Sequence, residues 1–379
     1  MTRILSVSTG RSDVGILAPI WGALAEQPEG ELHILLTGMH RAPGAAEAEG
    51  VPASATVHVA GADMGGEEAA AAAEAMASIS AATGRVIEET APDVMLVVGD
   101  RLDMLPAALA SLPFNLPLVH VHGGEITDGA VDDRIRHALS KLSHLHCVSS
   151  QHADTILRAM GEEDWRIKVT GSPTLDTLRA APTVDAPEFA RAVGLPCAGD
   201  DVEGFRLVTV HPETNSSDPL APMRSVLEAL RAHPGRTLFT APNSDPGGAQ
   251  LRRDVEAFCA TEAAACFVDT LGPGKYASAL RHATLMLGNS SSGIIEAGLF
   301  GLPVINVGDR QAGRLRGDNV VDVANDADSV AAVLARMESD PTRHTGGSPY
   351  GDGASGPRVA DILANLPERQ RLLDKVFPV

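Results

Sequence analysis

Val94-Met95-Leu96-Val97-Val98-Gly99-Asp100-Arg101-Leu102-Asp103-Met104-Leu105 carries the signal from which the architecture follows. Five apolar residues without a polar interruption read as a strand covered on both faces rather than one half in water. Gly99 ends the run and Asp100 follows at once. From Leu102 to Ser111 the apolar spacing becomes helical. A doubly covered strand that passes through a polar turn into a helix is the repeating unit of a parallel sheet. A carboxylate at the end of such a strand is costly unless paired or used, so Asp100 is a candidate acid or base. The competing role is the N-cap of the following helix.

The same alternation extends in both directions. In the first half, strands are expected at Ile4–Ser8, Leu32–Thr37, Val94–Gly99, Pro117–His122, Leu145–Ser149 and Ile167–Thr170, with helices at Gly15–Ala25, Glu67–Glu89, Leu102–Ser111, Asp132–Ser143 and Ser150–Met160. Ala180–Gly204, with Pro182, Pro187, Pro196 and the acidic turn Gly199–Glu203, reads as a linker. The pattern then restarts, with strands at Leu207–Val210, Thr237–Ala241, Ala265–Val268, Leu285–Gly288 and Val304–Val307. Helices fall near Pro219–Ala232, Gly247–Thr261, Tyr276–His282 and Gly293–Phe300. The expected fold is α/β, two Rossmann-like doubly wound domains facing across a cleft, residues 1–180 and 181–357. Thr345–Pro357 reads as a loop, and the terminal helices of 358–379, divided by Pro367, pack back on the first domain. A ligand would lie at the carboxyl ends of the strands.

Charge and composition narrow the partners. The 379 residues include 49 acidic and 30 basic side chains, a net charge of −19 with histidine neutral, which argues against a nucleic-acid partner. The four cysteines, Cys147, Cys197, Cys259 and Cys266, form no C-x-x-C pair and read as buried or idle thiols of a reducing cytosol. The run MTRILSVSTG is too short for a signal sequence, and no stretch approaches the roughly 20 apolar residues of a membrane span. A cytoplasmic protein with no membrane partner is expected. No G-x-G-x-x-G follows a strand, and Gly274-Lys275 is followed by Tyr276, so neither dinucleotide nor P-loop motif is present and no cofactor is expected.

Polar residues collect where strands end. Ser8-Thr9-Gly10-Arg11-Ser12-Asp13 is a turn into a helix suited to an anionic group, with Arg11 and Asp13 as candidate ligands, or a plain N-cap by Ser12 or Asp13. The densest segment is His120-Val121-His122-Gly123-Gly124-Glu125, continuing through Asp132-Asp133-Arg134-Ile135-Arg136-His137. Strand alternation would place His120 and His122 on one face, and the two glycines would let a ligand approach the backbone. Asp132 with Arg136, and Asp133 with His137, stand at i, i+4. H-x-H with carboxylates can hold zinc, but no third His or Cys ligand has suitable spacing, so no metal is expected. In the second half, His211-Pro212-Glu213-Thr214 and Pro242-Asn243-Ser244-Asp245 follow strands. Gly288-Asn289-Ser290-Ser291-Ser292-Gly293 opens a helix carrying Glu296, and its hydroxyls could cradle a diphosphate while Glu296 takes a ribose diol. Arg310 and Arg314 add cations near the same edge.

These motifs resemble the UDP-N-acetylglucosamine 2-epimerase family, especially its sialic-acid-type branch. The similar stretches are STGRSDVGILAPI, LLTGMH, VVGDRLDML, HVHGGEITDGAVDDRIRHALSKLSHLH, TGSPTLD, VTVHPET, APNSD and LGNSSSGIIEAGLFGLPVINVGDRQAGR, covering nearly the whole chain. The resemblance implies a GT-B-like fold, a homodimer or homotetramer, and a nucleotide-sugar substrate, UDP-N-acetylglucosamine or a relative. It implies C2 deprotonation and anti elimination of UDP through a 2-acetamidoglucal, giving N-acetylmannosamine free or as its UDP derivative. Asp100 and Asp132 match acid/base positions and His211 a diphosphate-side histidine, with His122, Glu125 and Arg136 as further catalytic candidates. Arg11, Ser290, Ser291, Glu296 and one of Arg310 or Arg314 match UDP-binding positions, with Asp13, Asn243 and Ser292 as neighbouring candidates. The branch usually carries H-x-E-G-G-E where this chain has His122. Alternatives are a hydrolysing epimerase of a UDP-diacetamido-trideoxyhexose or GDP-N-acetylglucosamine, a GT-B glycosyltransferase, and a non-catalytic nucleotide-sugar-binding protein.

Overall fold

The computed structural model describes residues 2–28, 30–42, 50–64, 69–126, 131–196, 204–214, 216–243, 245–340 and 342–376. They fall into two units, Met1–Thr177 with Tyr350–Val379, and Leu178–Pro349. Cys197, the turn Gly199–Glu203, Ser244 and the TDGA segment of the histidine motif lie outside the described residues.

In the first unit the chain runs β1 (Thr2–Ser8), α1 (Arg11–Ala25), β2 (Gly30–Leu36), β3 (Thr56–Val59), α2 (Ala69–Thr90), β4 (Val94–Val98), α3 (Met104–Leu109), β5 (Leu118–Val121), α4 (Val131–Leu142), β6 (Leu145–Val148), α5 (Gln151–Ala159), β7 (Ile167–Val169) and α6 (Thr174–Ala180). The strands form one parallel sheet in the order β3-β2-β1-β4-β5-β6-β7. All five residues of β4 are buried, as an apolar run covered on both faces requires. On α1, Leu17, Ile20, Trp21 and Leu24 are buried, and Trp21 satisfies its indole N–H on Ser6 Oγ at 2.8 Å.

The second unit contains α7 (Ala186–Val193), β8 (Arg206–Thr209), α8 (Ala221–Ala232), β9 (Thr237–Thr240), α9 (Gly248–Thr261), β10 (Ala265–Val268), α10 (Gly272–His282), β11 (Leu285–Gly288), α11 (Ser291–Ile295), β12 (Val304–Val307), β13 (Val320–Val323) and α12 (Ala327–Ser339). Its sheet is also parallel, in the order β10-β9-β8-β11-β12-β13. The chain then returns to the first unit as α13 (Ser355–Ala364) and α14 (Arg369–Leu373). Asp176 accepts from the backbone N–H groups of Ser355 (2.9 Å) and Gly356 (2.6 Å), which anchors the start of α13. A Cβ on Gly356 would lie 2.6 Å from the Pro19 carbonyl oxygen, so glycine lets α13 close on α1.

Five elements escaped the sequence pattern, among them the short α6 (Thr174–Ala180) that follows β7. Strands β3 and β13 are short and partly exposed, so neither shows a doubly buried apolar run. The stretch read as a linker contains α7, whose N-terminus is capped by Asp185 accepting from Glu188 N–H at 2.8 Å and whose Phe189 is fully buried beside Phe205. Its prolines, read as breakers, include Pro187 in the first turn of that helix, where proline is tolerated. Helix α12 was likewise unassigned. Among the described residues no helix is long and apolar enough to cross a membrane.

Candidate active site

In the first sheet β1 lies beside β4, so the connections leaving these strands diverge to opposite faces. The crevice this opens lies at the carboxyl ends, where doubly wound sheets place ligands. Arg11 follows β1, Asp100 follows β4, His122 and Glu125 follow β5, Ser149 follows β6 and Ser172 follows β7. One edge of one sheet therefore gathers residues scattered over more than 150 positions.

Asp100 pairs with the Arg136 guanidinium, which also donates to the Glu125 carbonyl oxygen at 3.0 Å. Burial pushes the Asp100 carboxyl up, Arg136 opposes this, and the nearby charges of Asp132 and Glu125 push it up further. Asp132 and Arg136, one turn apart on α4, thus bear on the same carboxylate. Arg136 is itself 7% exposed at its side chain, so the pair is largely shielded from water.

His122 Nδ1 lies 2.5 Å from Glu125 Oε1, and Ser149 Oγ donates to the same oxygen at 2.7 Å. Burial alone would raise the Glu125 carboxyl, but the His122 charge and hydrogen bond, with Ser149 and Arg136, outweigh it and hold the group at about 2. An ionised Glu125 accepts from Nδ1–H, which leaves Nε2 as the ring nitrogen free to exchange a proton with a ligand. Nε2 has Ser172 Oγ 3.5 Å away. His122 adopts φ +66°, an uncommon conformation for a non-glycine residue. The backbone thereby leaves strand geometry, and the expected shared face with His120 does not arise. His120 is fully buried, with Nε2 2.8 Å from the Gly99 carbonyl oxygen, and its burial holds it near 3, a neutral structural ring.

The glycine pair serves packing. A Cβ on Gly123 would lie 2.9 Å from His120 Nδ1, and one on Gly124, at φ +75°, 2.3 Å from the Ala153 carbonyl oxygen. Protein atoms occupy the space that a Cβ would take at both positions, so packing by itself requires glycine there. The turn after β1 is also self-contained. Gly10, not Ser12 or Asp13, is the N-cap of α1, with no side-chain cap. Asp13 is buried and accepts from Thr9 N–H (2.7 Å) and Thr9 Oγ (2.8 Å), so it braces the turn from beneath and is not open to a ligand. Arg11 is exposed at the mouth of the same turn.

In the second sheet β8 lies beside β11, and the residues after these two strands meet at the corresponding crevice. Asn289 Oδ1 accepts from His211 N–H at 2.7 Å, and Asn289 Nδ2 donates to the His211 carbonyl oxygen at 2.9 Å. Asn243 N–H donates to His211 Nδ1 at 3.0 Å, so the remaining proton of the neutral ring sits on Nε2. Burial, assisted by Arg310, lowers His211 to about 4. Glu213 Oε1 accepts from the backbone N–H groups of Asp309 (2.9 Å) and Arg310 (3.1 Å), while Gln311 Nε2 donates to the Asn289 carbonyl oxygen at 2.9 Å. These bonds hold the Arg310 loop against the serine loop. Ser290 caps α11 by accepting from Ser292 N–H at 3.4 Å. Ser292 Oγ bonds both Glu296 and the Tyr276 hydroxyl, and burial raises the Glu296 carboxyl and the Tyr276 phenol.

Comparison with known proteins agrees with this arrangement. Residues 22–364 match the description of the UDP-N-acetylglucosamine 2-epimerase family. The chain belongs to that family. It is 32% identical over 380 residues to the hydrolysing UDP-N,N'-diacetylbacillosamine 2-epimerase of Legionella pneumophila, covering 98% of each chain. To the hydrolysing GDP/UDP-N,N'-diacetylbacillosamine 2-epimerase of Campylobacter jejuni it is 37% identical over 255 residues, 66% of this chain and 65% of that one. The structure of the Neisseria meningitidis UDP-GlcNAc 2-epimerase bound to UDP-GlcNAc superposes with a TM-score of 0.76 at 17% identity, over 96% of this chain and all of that one. The two-sheet α/β fold is thus the GT-B-like fold of these epimerases.

Set in this 2-epimerase fold, the residues singled out from sequence sort by unit. Asp100, His122, Glu125, Asp132 and Arg136 cluster in the first. His211, Asn243, Ser290, Ser291, Ser292, Glu296, Arg310 and Arg314 lie in the second. Ser149, Ser172, Glu213, Asn289, Gln311 and Tyr276 were not singled out. Glu213 and Asn289 stood inside quoted motifs, so their position at strand ends was a signal. Ser172 stood inside the quoted TGSPTLD and Gln311 inside GDRQAGR, whereas Ser149 gave no signal, because its relevance depends on β6 lying beside β5.

Proposed function

We propose that the protein is a hydrolysing 2-epimerase of a UDP-linked 2-acetamido sugar, converting substrate and water to UDP and the free C2-epimeric sugar. The observation that carries this reading is the pairing of an ionised Glu125 with His122 next to the Asp100–Arg136 pair. It supplies two proton-transfer groups at one sheet edge, as an elimination followed by addition demands. In this reading His122 Nε2 takes the proton from C2, and the C1–O bond breaks with UDP as leaving group, giving the 2-acetamidoglucal. Asp100, held by Arg136 at the same sheet edge, is the group placed to pass a proton to the departing oxygen. Water then adds at C1 and passes its proton to Asp100, replacing the one lost to UDP, the proton on His122 returns to solvent, and C2 is reprotonated from the opposite face. Asp132 serves this second proton transfer.

In the second unit, departing diphosphate charge is met by Arg310 and Arg314, with Ser290 and Ser291 as hydroxyl donors. His211, neutral with its proton on Nε2, donates to a diphosphate oxygen without adding charge. Glu296, set by Ser292 and Tyr276, accepts from the ribose diol. The hydrolysing outcome is favoured by the relatives from Legionella and Campylobacter, whose names carry it.

NMR in D2O with UDP-N-acetylglucosamine and, in parallel, UDP-N,N'-diacetylbacillosamine tests the proposal. One of the two should yield UDP and a free sugar deuterated at C2. A product that keeps its original C2 hydrogen refutes the elimination, and accumulation of a UDP-linked epimer refutes the hydrolysing outcome.

A further inference from the structure

Helix α4 has the proposed site at its amino end and a buried charge cluster, unused by the chemistry, at its carboxyl end. Lys375, more than 230 residues further along the chain, donates from Nζ to the carbonyl oxygens of Ser140 (3.3 Å), Lys141 (3.0 Å) and Ser143 (2.6 Å). Two of these belong to the last turn of α4, where carbonyls lack helical partners and the dipole favours a cation. Nζ also lies 2.8 Å from Glu162 Oε2. Glu162 in turn meets Lys141 Nζ at 2.8 Å and His146 Nε2 at 3.0 Å. The segment bearing Lys375 is held in place by the buried Arg166 guanidinium, which donates to the carbonyl oxygens of Leu372 (2.9 Å), Asp374 (2.7 Å) and His144 (3.0 Å).

We propose that Lys375 is a positioning residue for Arg136: it caps and fixes the carboxyl end of α4, and so sets where that helix holds Arg136 against Asp100 and the Glu125 carbonyl. Arg136 precedes Ser140 by four residues, about 6 Å along a rigid helix, so a slip at one end is carried to the other. A displacement of about 1 Å at reacting groups can cost about 100-fold in rate. The kinetic part of this inference rests on the function proposed above; the structural part does not.

The test compares wild type with Lys375→Met, which keeps the apolar stem without the charge, and with Lys375→Arg. Hydrogen exchange should show loss of protection in residues 131–140 in Lys375→Met, restored in Lys375→Arg. Turnover should fall about tenfold in kcat with KM within about twofold, again restored by arginine. Combined with Arg136→Lys, Lys375→Met should add less than a further twofold, because both act through one guanidinium. Unchanged protection in residues 131–140, or multiplicative losses in the double variant, overturns the inference. If Lys375→Met does not fold, Lys375→Gln, which lacks the ammonium charge and cannot supply three donors, is read in the same way. A wild type that turns over no nucleotide sugar refutes the proposed function, while the exchange measurement still decides the role of Lys375.

Discussion

Replacing Glu125 by glutamine probes the His122 pair through both stability and rate. The folded state holds this carboxyl at about 2, against 4.5 for an ordinary glutamate, so its charged form is favoured by about 3 kcal/mol at about 1.4 kcal/mol per pH unit. The side chain is 21% exposed, so solvent screening removes little of this. Because the folded value is depressed, the contribution is present above about pH 4.5 and is lost as pH falls towards 2, and the share of it due to the His122 charge requires a protonated ring. Glu125→Gln removes it at all pH values. At pH 7 the variant should unfold roughly 6–12 °C lower, taking 2–4 °C per kcal/mol for a unit of this size. At pH 3 the difference from wild type should shrink markedly.

The rate effect has a separate cause. The glutamine amide satisfies the ring by donating to Nδ1, which moves the imidazole proton to Nε2 and abolishes the base. The analogous Asp-to-Asn change in a serine protease, where the wrong tautomer results, costs about 10⁴-fold in kcat. C2 hydrogen exchange in D2O should therefore slow by about 10³–10⁴-fold in Glu125→Gln while UDP affinity, measured calorimetrically, stays within about threefold. A stability difference equal at pH 7 and pH 3, or a C2 exchange rate within tenfold of wild type, would refute the reasoning.

Asp100→Asn should lower kcat by about 10²–10⁴-fold with UDP affinity retained, checked by steady-state kinetics and calorimetry, since it removes a proton-transfer group from the first unit. Arg136→Ala strands the Asp100 carboxylate and the Glu125 carbonyl, and urea unfolding should show a loss of about 3–5 kcal/mol; a loss below 1 kcal/mol contradicts the shielded pairing. Gly124→Ala, with φ +75° and a Cβ that would meet the Ala153 carbonyl, should destabilise by at least about 2 kcal/mol in the same assay, whereas Gly15→Ala, with open space around it, should not. Arg310→Ala should weaken UDP binding about tenfold or more in low salt, with a smaller effect at high salt.

Much of the architecture was legible because long apolar runs such as Val94–Val98 leave no alternative to burial on both faces. The short, half-exposed β3 and β13 were not, since four residues with mixed exposure look like loop. At the site, Asp100, Glu125 and His211 were legible from their place just after apolar strands. Asp13 was misread as ligand-facing, because nothing local reveals that Thr9 folds back to bond it. His122 was misplaced beside His120, because strand alternation assumes an extended backbone that φ +66° interrupts.

Local pattern alone therefore determined that strands alternate with helices and that reactive side chains stand at strand ends. Hydrophobic periodicity and turn residues are properties of neighbours in the chain. Tertiary structure decided which strand ends meet: β1 beside β4 and β8 beside β11, Ser149 on Glu125, Arg136 on Asp100, Asn289 on His211 and Lys375 under α4. Those pairings depend on lateral strand order and on close packing between residues tens to hundreds of positions apart, which no local period encodes.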